Sequence, residues 1–450
     1  MGISIRQVVA VVGLAGLATM SLRVGAQTSA QPLDSNDIDA LNKALQQQRD
    51  AIQHLQDQVQ SLEDTRNTQT SATTATPSAS GVTSGYDSGF FVKDASGNNE
   101  LYINGLIQPR FNRFSTIGTA ALGGTDRSVS NFDIFLGRLY FSGNVVDPSY
   151  KFFFTLQGTT TGNGSGLTLL DAEVSKTWSP YLKVEAGRYW SAYTYEYYDD
   201  IAKYLLPDLS AAEWGFSLGR QIGARVSGKA DRVAYSLSVS NSIPGSDVGN
   251  NENLGGRVAT IANLYIDLLE PYGYQETDPG RGNSKPQLSL WLSGMYNPVQ
   301  YSSVFENELA NDITYGATTS LNFRYGGFSF QGSGYYRDDR SQGSTYASHA
   351  LQEQLGYYLV PGQWELAERV DHVHWGRGEI PQTGGEVTTW YAGPSNFSYE
   401  NLTEYTGGVN YYLAGHSAKL QLDYSYIPAS GFEGERFHAN RILAQVQLAF

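Results

Sequence analysis

Cysteine is absent from all 450 residues, so the protein holds neither a disulfide nor a thiol to carry a lipid anchor or bind a metal. Beyond the first 26 residues no run of about 18 apolar residues occurs, so no spanning helix is available. Basic residues are the scarcer charge: 30 Lys and Arg stand against 44 Asp and Glu. Such an acidic balance excludes nucleic acid as a partner, because phosphate binding needs a basic surface. Catalytic signatures are missing as well. There is no GxSxG elbow, no phosphate loop and no paired-cysteine site, so no enzyme activity and no cofactor are expected. What the chain does have is 31 Tyr and 49 Gly at only 40% hydrophobic residues, a balance that favours strands and turns over packed helices.

The first 85 residues divide into three short regions. Residues 1–26 place Arg6 before an apolar stretch from Val8 to Leu22 and end on Val24-Gly25-Ala26, the pattern of a signal peptide cleaved before Gln27. Removing it leaves 28 basic against 44 acidic residues, a formal charge of −16. Residues 27–64 contain a heptad seam: Ile38, Leu45, Ile52 and Val59, each followed three positions later by Leu41, Gln48, Leu55 and Leu62. This seam predicts a periplasmic coiled-coil helix that joins copies of the chain or meets a periplasmic partner; a lone amphipathic helix is the alternative. Residues 65–85 are rich in Thr, Ser and Ala and read as a flexible linker.

From Tyr86 to Phe450 apolar residues recur at every second position. Ile103, Ile107 and Phe111 oppose Asn104, Gln108 and Arg110; Leu420, Leu422 and Tyr424 oppose Lys419, Gln421 and Asp423; Ile442, Ala444, Val446, Leu448 and Phe450 oppose Arg441, Gln445 and Gln447. About sixteen such segments follow one another, separated by Gly, Asn, Asp and Pro clusters. A soluble sandwich also alternates, but its wet face meets bulk water and carries many Lys and Glu. Here the polar positions are mostly Ser, Thr, Gln, Asn, Gly and Tyr, which suits a wall facing water inside and lipid outside. Lipid offers no partner to an open edge, so the sheet is expected to close, with the last strand pairing with the first. The predicted fold is all-β: a sixteen-stranded antiparallel transmembrane β-barrel over residues 86–450, with an N-terminal α-helical coiled-coil segment. Aromatic pairs such as Trp178/Tyr181 and Tyr411/Tyr412 are expected at the membrane interfaces.

Three segments carry a family resemblance: AGRYWSAYTYE (186–196), LGYYLVPGQWELAERVD (355–371), and GGVNYYLAGHSAKLQLDYSY (407–426) with the terminal AQVQLAF. They resemble the phosphate-selective porin O and P type family of bacterial outer-membrane porins. In the first, Gly187 and Glu196 match the family pattern, whereas Trp190 stands where the family has Lys and Ala192 where it has Pro. The resemblance implies an outer-membrane homotrimer, a constriction loop folded into each barrel, and passive passage of small solutes. It also implies that Phe450 belongs to the assembly signal.

Strand register assigns ten basic residues to the lumen: Arg110, Arg138, Lys151, Lys183, Arg225, Arg324, Arg337, Arg369, Lys419 and Arg441. Seven acids share it: Asp171, Glu173, Glu185, Glu365, Asp371, Glu404 and Asp423. Wall charges act across a narrow pore while loop carboxylates are screened over about 8 Å, so a weak, phosphate-like anion preference is expected for the ion transport. The constriction loop is expected around Arg188, Trp190, Tyr193, Tyr195, Glu196, Tyr197, Tyr198, Asp199 and Asp200. Its aromatics either pack the loop against the wall or guide sugars across their faces. His372 and His374 point the same way on one strand but lack a third ligand, so no metal site is assigned. Two alternatives to a channel for small hydrophilic solutes or anions stay open: a carbohydrate-guiding porin, and a barrel that anchors a tether in the outer-membrane lipid through the coiled coil.

Overall fold

The computed structural model describes residues 81–118, 126–159, 166–241, 258–277, 285–298, 313–341, 344–376, 399–431 and 434–450. The signal peptide, the coiled coil and most of the linker lie outside the described residues. The wall begins with β3 (Glu100–Ile117), β4 (Arg127–Val145), β5 (Asp147–Thr159), β6 (Gly166–Ser179), β7 (Leu182–Trp190), β8 (Arg220–Ala230), β9 (Val233–Asn241) and β10 (Val258–Asp267). It continues with β11 (Gln287–Asn297), β12 (Ile313–Tyr325), β13 (Phe328–Ser341), β14 (Ser344–Val360), β15 (Trp364–His374), β16 (Tyr399–Ala414), β17 (Ala418–Gly431) and β18 (Arg436–Ala449). Each of these pairs antiparallel with the next, and β18 returns to β3, so sixteen strands close into a barrel with no free edge.

Two further strands precede the wall, β1 (Val82–Tyr86) and β2 (Phe90–Asp94). They form a hairpin that pairs with the start of β3 at Phe90↔Ile103 through Lys93↔Glu100. The expected linker therefore ends earlier than residue 85, because Val82 already lies in a strand. β3 is shared: its first residues pair with β2 and the rest with β18. At the join Phe450 exchanges both backbone hydrogen bonds with Gly105, at 2.9 and 3.0 Å, and its ring stands 6.1 Å from Phe90.

The packing is inverted relative to a water-soluble protein. Large apolar side chains point out and remain exposed, among them Leu139, Phe154, Leu237, Leu264, Leu292, Leu321, Leu422 and Val446. The opposite positions on the same strands, such as Gln157, Ser238, Asn263, Ser293, Asn322, Gln421 and Gln445, are buried inside. No soluble monomer leaves apolar surface of this extent against water. Aromatic residues divide by the same rule. Trp178 and Tyr181 are exposed, and Tyr411 stacks on Trp364 at 4.6 Å. Tyr412, expected beside Tyr411 at the membrane interface, instead faces inward and hydrogen-bonds Glu365, since adjacent strand residues take opposite faces.

Of the register shifts in the wall, two change what lines its interior. Gln108 pairs with Leu136 and Pro109 with Ile134, leaving Phe135 as an extra residue opposite the proline. Pro109 has no N–H to give the ladder, and a bulge is where a sheet accommodates that loss. A second shift lies between Thr155 and Leu156, opposite Leu170. Phe135, Leu136 and Leu170 are thereby turned into the interior and buried.

Candidate functional site

The connection from β7 to β8, residues 191–219, folds into the barrel. It carries two short helices, α1 (Tyr195–Tyr198) and α2 (Ala211–Phe216), joined by a 3-10 turn over Ile201–Lys203. Ser210 caps α2 by accepting a hydrogen bond from the Glu213 amide at 2.9 Å. The stretch from Ala202 to Leu209 is mostly irregular, so its carbonyls need outside donors. The wall supplies them. Lys419 Nζ reaches the Tyr204 carbonyl at 2.8 Å, Asn410 the Leu205 carbonyl at 2.8 Å, and Arg110 the Pro207 carbonyl at 2.7 Å. Arg369 donates to the carbonyls of Asp208 and Leu209 at 2.8 and 3.2 Å, and Gln447 to that of Ala202 at 2.9 Å.

Carboxylates complete the anchorage. Asp208 sits between Arg441 at 3.3 Å and Arg110 at 3.6 Å. Glu404 pairs with Arg441 at 2.9 Å and Asp371 with Arg369 at 3.1 Å, while Asp423 stands beside both arginines. Glu196 lies 3.6 Å from Arg369 and accepts from Gln352 and from the Ser210 amide. Glu213 accepts from the Tyr197 amide and the Tyr335 hydroxyl, both at 3.0 Å. Burial, with the Glu196 charge next to it, pushes the Glu213 carboxyl up to about 8.

A second segment enters from the short-turn end. The β10–β11 connection buries Tyr272, Glu276 and Thr277 and sets the Tyr274 ring 6.4 Å from Trp291. Arg324 binds the Tyr272 carbonyl and lies over its ring at 4.0 Å. Glu276 accepts from the Leu205 amide at 2.5 Å, and Thr277 donates to Glu365. The infolded segments meet around Trp291, whose ring is 5.8 Å from Tyr195 and 5.4 Å from Tyr198, with Tyr274 beside it. Trp291 Nε1 donates to the Tyr193 carbonyl at 3.1 Å.

Of the residues assigned to the lumen, all but Lys151, Lys183 and Glu173 are buried, and they do not act as one set. Arg110, Arg369, Lys419 and Arg441, with Asp371, Glu404 and Asp423, hold the β7–β8 segment. Arg324 and Glu365 hold the β10–β11 segment. Arg337 pairs with Asp339 at 2.8 Å and reaches the Gly215 carbonyl of α2. On β7 and β8, Glu185 bridges Arg225 at 2.8 Å and Lys183 at 2.6 Å. Asp171 pairs with Arg220 at 3.2 Å, and Arg220 also donates to the Tyr197 hydroxyl at 2.7 Å. Glu173, Lys151 and Lys183 line a cavity of about 320 Å³ at the short-turn end. Arg138 bonds Gln157 at 2.6 Å and has no carboxylate ion pair among the described residues.

The expected constriction residues separate likewise. Arg188 and Trp190 belong to β7 rather than to the loop, and Arg188 Nε binds the Leu170 carbonyl at 2.7 Å. Tyr193, Tyr195, Glu196 and Asp199 are buried in packing contacts, with Tyr198 against Trp291 and Tyr274. Asp200 caps the 3-10 turn. Tyr197 and Trp190 reach the open space. Most of the loop aromatics therefore pack against the wall or against one another. His372 and His374 lie on the outer face, bonded to Thr403 and Asn401, and among the described residues no group of three or more metal-ligating side chains forms. Asp208, Glu213 and Glu276 lie in the infolded connections and Arg220 at a strand end, where period two gives no signal, whereas Trp291 sits in regular alternation on β11 and its inward face follows from that period.

Comparison with known proteins places this architecture. No protein-family model and no curated protein matches the chain. Among solved structures, the outer membrane channel DcaP of Acinetobacter baumannii superposes with a TM-score of 0.52 at 12% identity, over 80% of this chain and 99% of that one. OprB of Pseudomonas putida superposes with a TM-score of 0.53 at 12% identity, over 79% and 95%. OmpT of Vibrio cholerae, expressed in the outer membrane, gives 0.50 at 10% identity, over 78% and 98%. At these identities the likeness is one of fold: a closed antiparallel barrel.

Proposed function

We propose that the chain is a bacterial outer-membrane porin that lets small hydrophilic solutes diffuse passively, with a weak preference for anions. One observation carries this reading: an apolar exterior and a polar, charged interior on the same sixteen closed strands, which only lipid outside and water inside can satisfy together. The barrel is narrowed by the β7–β8 segment, held by about a dozen polar contacts, so the passage is gated by size and charge rather than by a binding cycle. DcaP, an outer membrane channel with a similar barrel, supports the reading.

Anion preference rests on where charge is left over. Most interior cations are matched by a carboxylate or a loop carbonyl, while Arg138 and Lys151, on β4 and β5, have no ion pair among the described residues. The finer resemblance to phosphate-selective porins supports a homotrimer and the role of Phe450 in assembly. Phosphate itself is not proposed, because Arg110, Arg369 and Arg441 are engaged by the infolded segment. Reversal potential in a planar bilayer under a potassium chloride gradient tests the reading: modest chloride selectivity is expected, and strong cation selectivity would overturn it.

A further inference from the structure

Between the infolded segment and the wall of β4 to β8 remains a space of about 50 Å³. The space is not enclosed, so a solute seated in it extends into the lumen. Its lining is largely apolar. The two bulges have turned Phe135, Leu136 and Leu170 inward, and Trp190, Tyr204 and Trp214 complete an apolar shelf. Arg138 lies at this shelf, 7% exposed, with Gln157 Oε1 accepting from its Nε. The other charges there are matched: Arg220 by Asp171, and Asp208 by Arg110 and Arg441, while burial pushes the Asp199 carboxyl well up.

A single uncompensated guanidinium beside apolar carbon in a polar lumen is a two-part recognition element. Water or chloride gains nothing from the shelf, and a phosphate loses hydration on it without compensation. A carboxylate with a short hydrocarbon tail satisfies both parts, the oxygens on the guanidinium and the methylenes on Leu136, Leu170 and the rings. We propose that Arg138 is the residue that determines which solutes are favoured, and that the favoured class is short-chain carboxylates. This rests on the porin reading given above and narrows it from small anions in general to one chemistry.

The test uses single-channel recording of the purified full-length protein in potassium chloride, with butyrate or inorganic phosphate added. Butyrate is expected to lower the chloride current in a saturable manner, at concentrations at least tenfold below those at which phosphate does so. Arg138→Gln should weaken the butyrate effect at least tenfold, Arg138→Lys should restore part of it, and Leu170→Ala should weaken butyrate but leave acetate nearly unchanged. Unaltered heat-modified gel migration of each variant shows that the barrel has closed. Equal action of butyrate and phosphate, or an unchanged butyrate effect in Arg138→Gln, overturns this inference while leaving the porin reading intact. Absence of any channel current overturns both.

Discussion

Replacing Asp208 by Asn removes one negative charge and leaves the shape of the infolded segment almost unchanged. In the native barrel that carboxylate faces Arg441 at 3.3 Å and Arg110 at 3.6 Å, with all three side chains at most 3% exposed. Arg441 keeps Glu404 at 2.9 Å, but Arg110 is left with only Gln445 and the Pro207 carbonyl as acceptors. Breaking a buried pair by removing one partner costs about 3–5 kcal/mol in a dry interior. A lumen admits water, and Arg441 retains a partner, so about 3 kcal/mol is the appropriate figure for the docking of the segment. At about 1.4 kcal/mol per factor of ten, undocked barrels become about a hundredfold more common. Two readouts follow: single-channel current should fluctuate between the native level and a larger one, and limited proteolysis should cut between Ile201 and Leu209, which the native protein resists. Arg110→Met in the same chain removes the stranded charge and should recover much of the resistance. A D208N channel as quiet and as protease-resistant as the native one would refute the idea that this ion cluster fixes the segment.

Other consequences are open to direct measurement. Glu213 keeps its proton in the docked segment up to about 8 against an ordinary value near 4.5, so the docked state binds more protons between these values. Docking is then fully supported below about pH 4.5 and weakens from there until pH reaches about 8; current noise should grow across that range, and Glu213→Gln should abolish the difference. A Cβ at Gly105 would overlap the Phe450 ring, so Gly105→Ala should loosen the β3–β18 join by about 1–3 kcal/mol and lower the temperature at which the gel band shifts. Trp291→Ala should cost about 3–5 kcal/mol, since it empties the place where both infolded segments meet, and should raise conductance; unchanged conductance would mean that those segments stand without it.

How far the sequence reveals this arrangement depends on the range of the signal. Period two decides the face of every residue in a regular strand, which is why the interior positions of Arg110, Arg369 and Arg441 and the outward positions of Leu422 and Val446 are readable without a structure. Strand count is readable for the same reason. Where the period slips, legibility stops: nothing local announces that Phe135 and Leu170 turn inward, although Pro109 is a clue, since a ladder cannot use it. The infolded segment was visible only in its first turn. Its continuation through Asp208 and Glu213 lacks a repeat, and its partners lie up to 245 residues away, as for Gln447 and Ala202. Counting wall charges also misleads, because a count of ten against seven does not show that most of the cations are already engaged by the protein itself.

The central claim is a water-filled passage through a lipid-embedded cylinder, and single-channel recording of the purified protein in a planar bilayer tests it most directly. Discrete, ohmic current steps, one size per inserted unit, are the predicted result. Bilayers that stay electrically silent although flotation shows folded barrel in the lipid would contradict it.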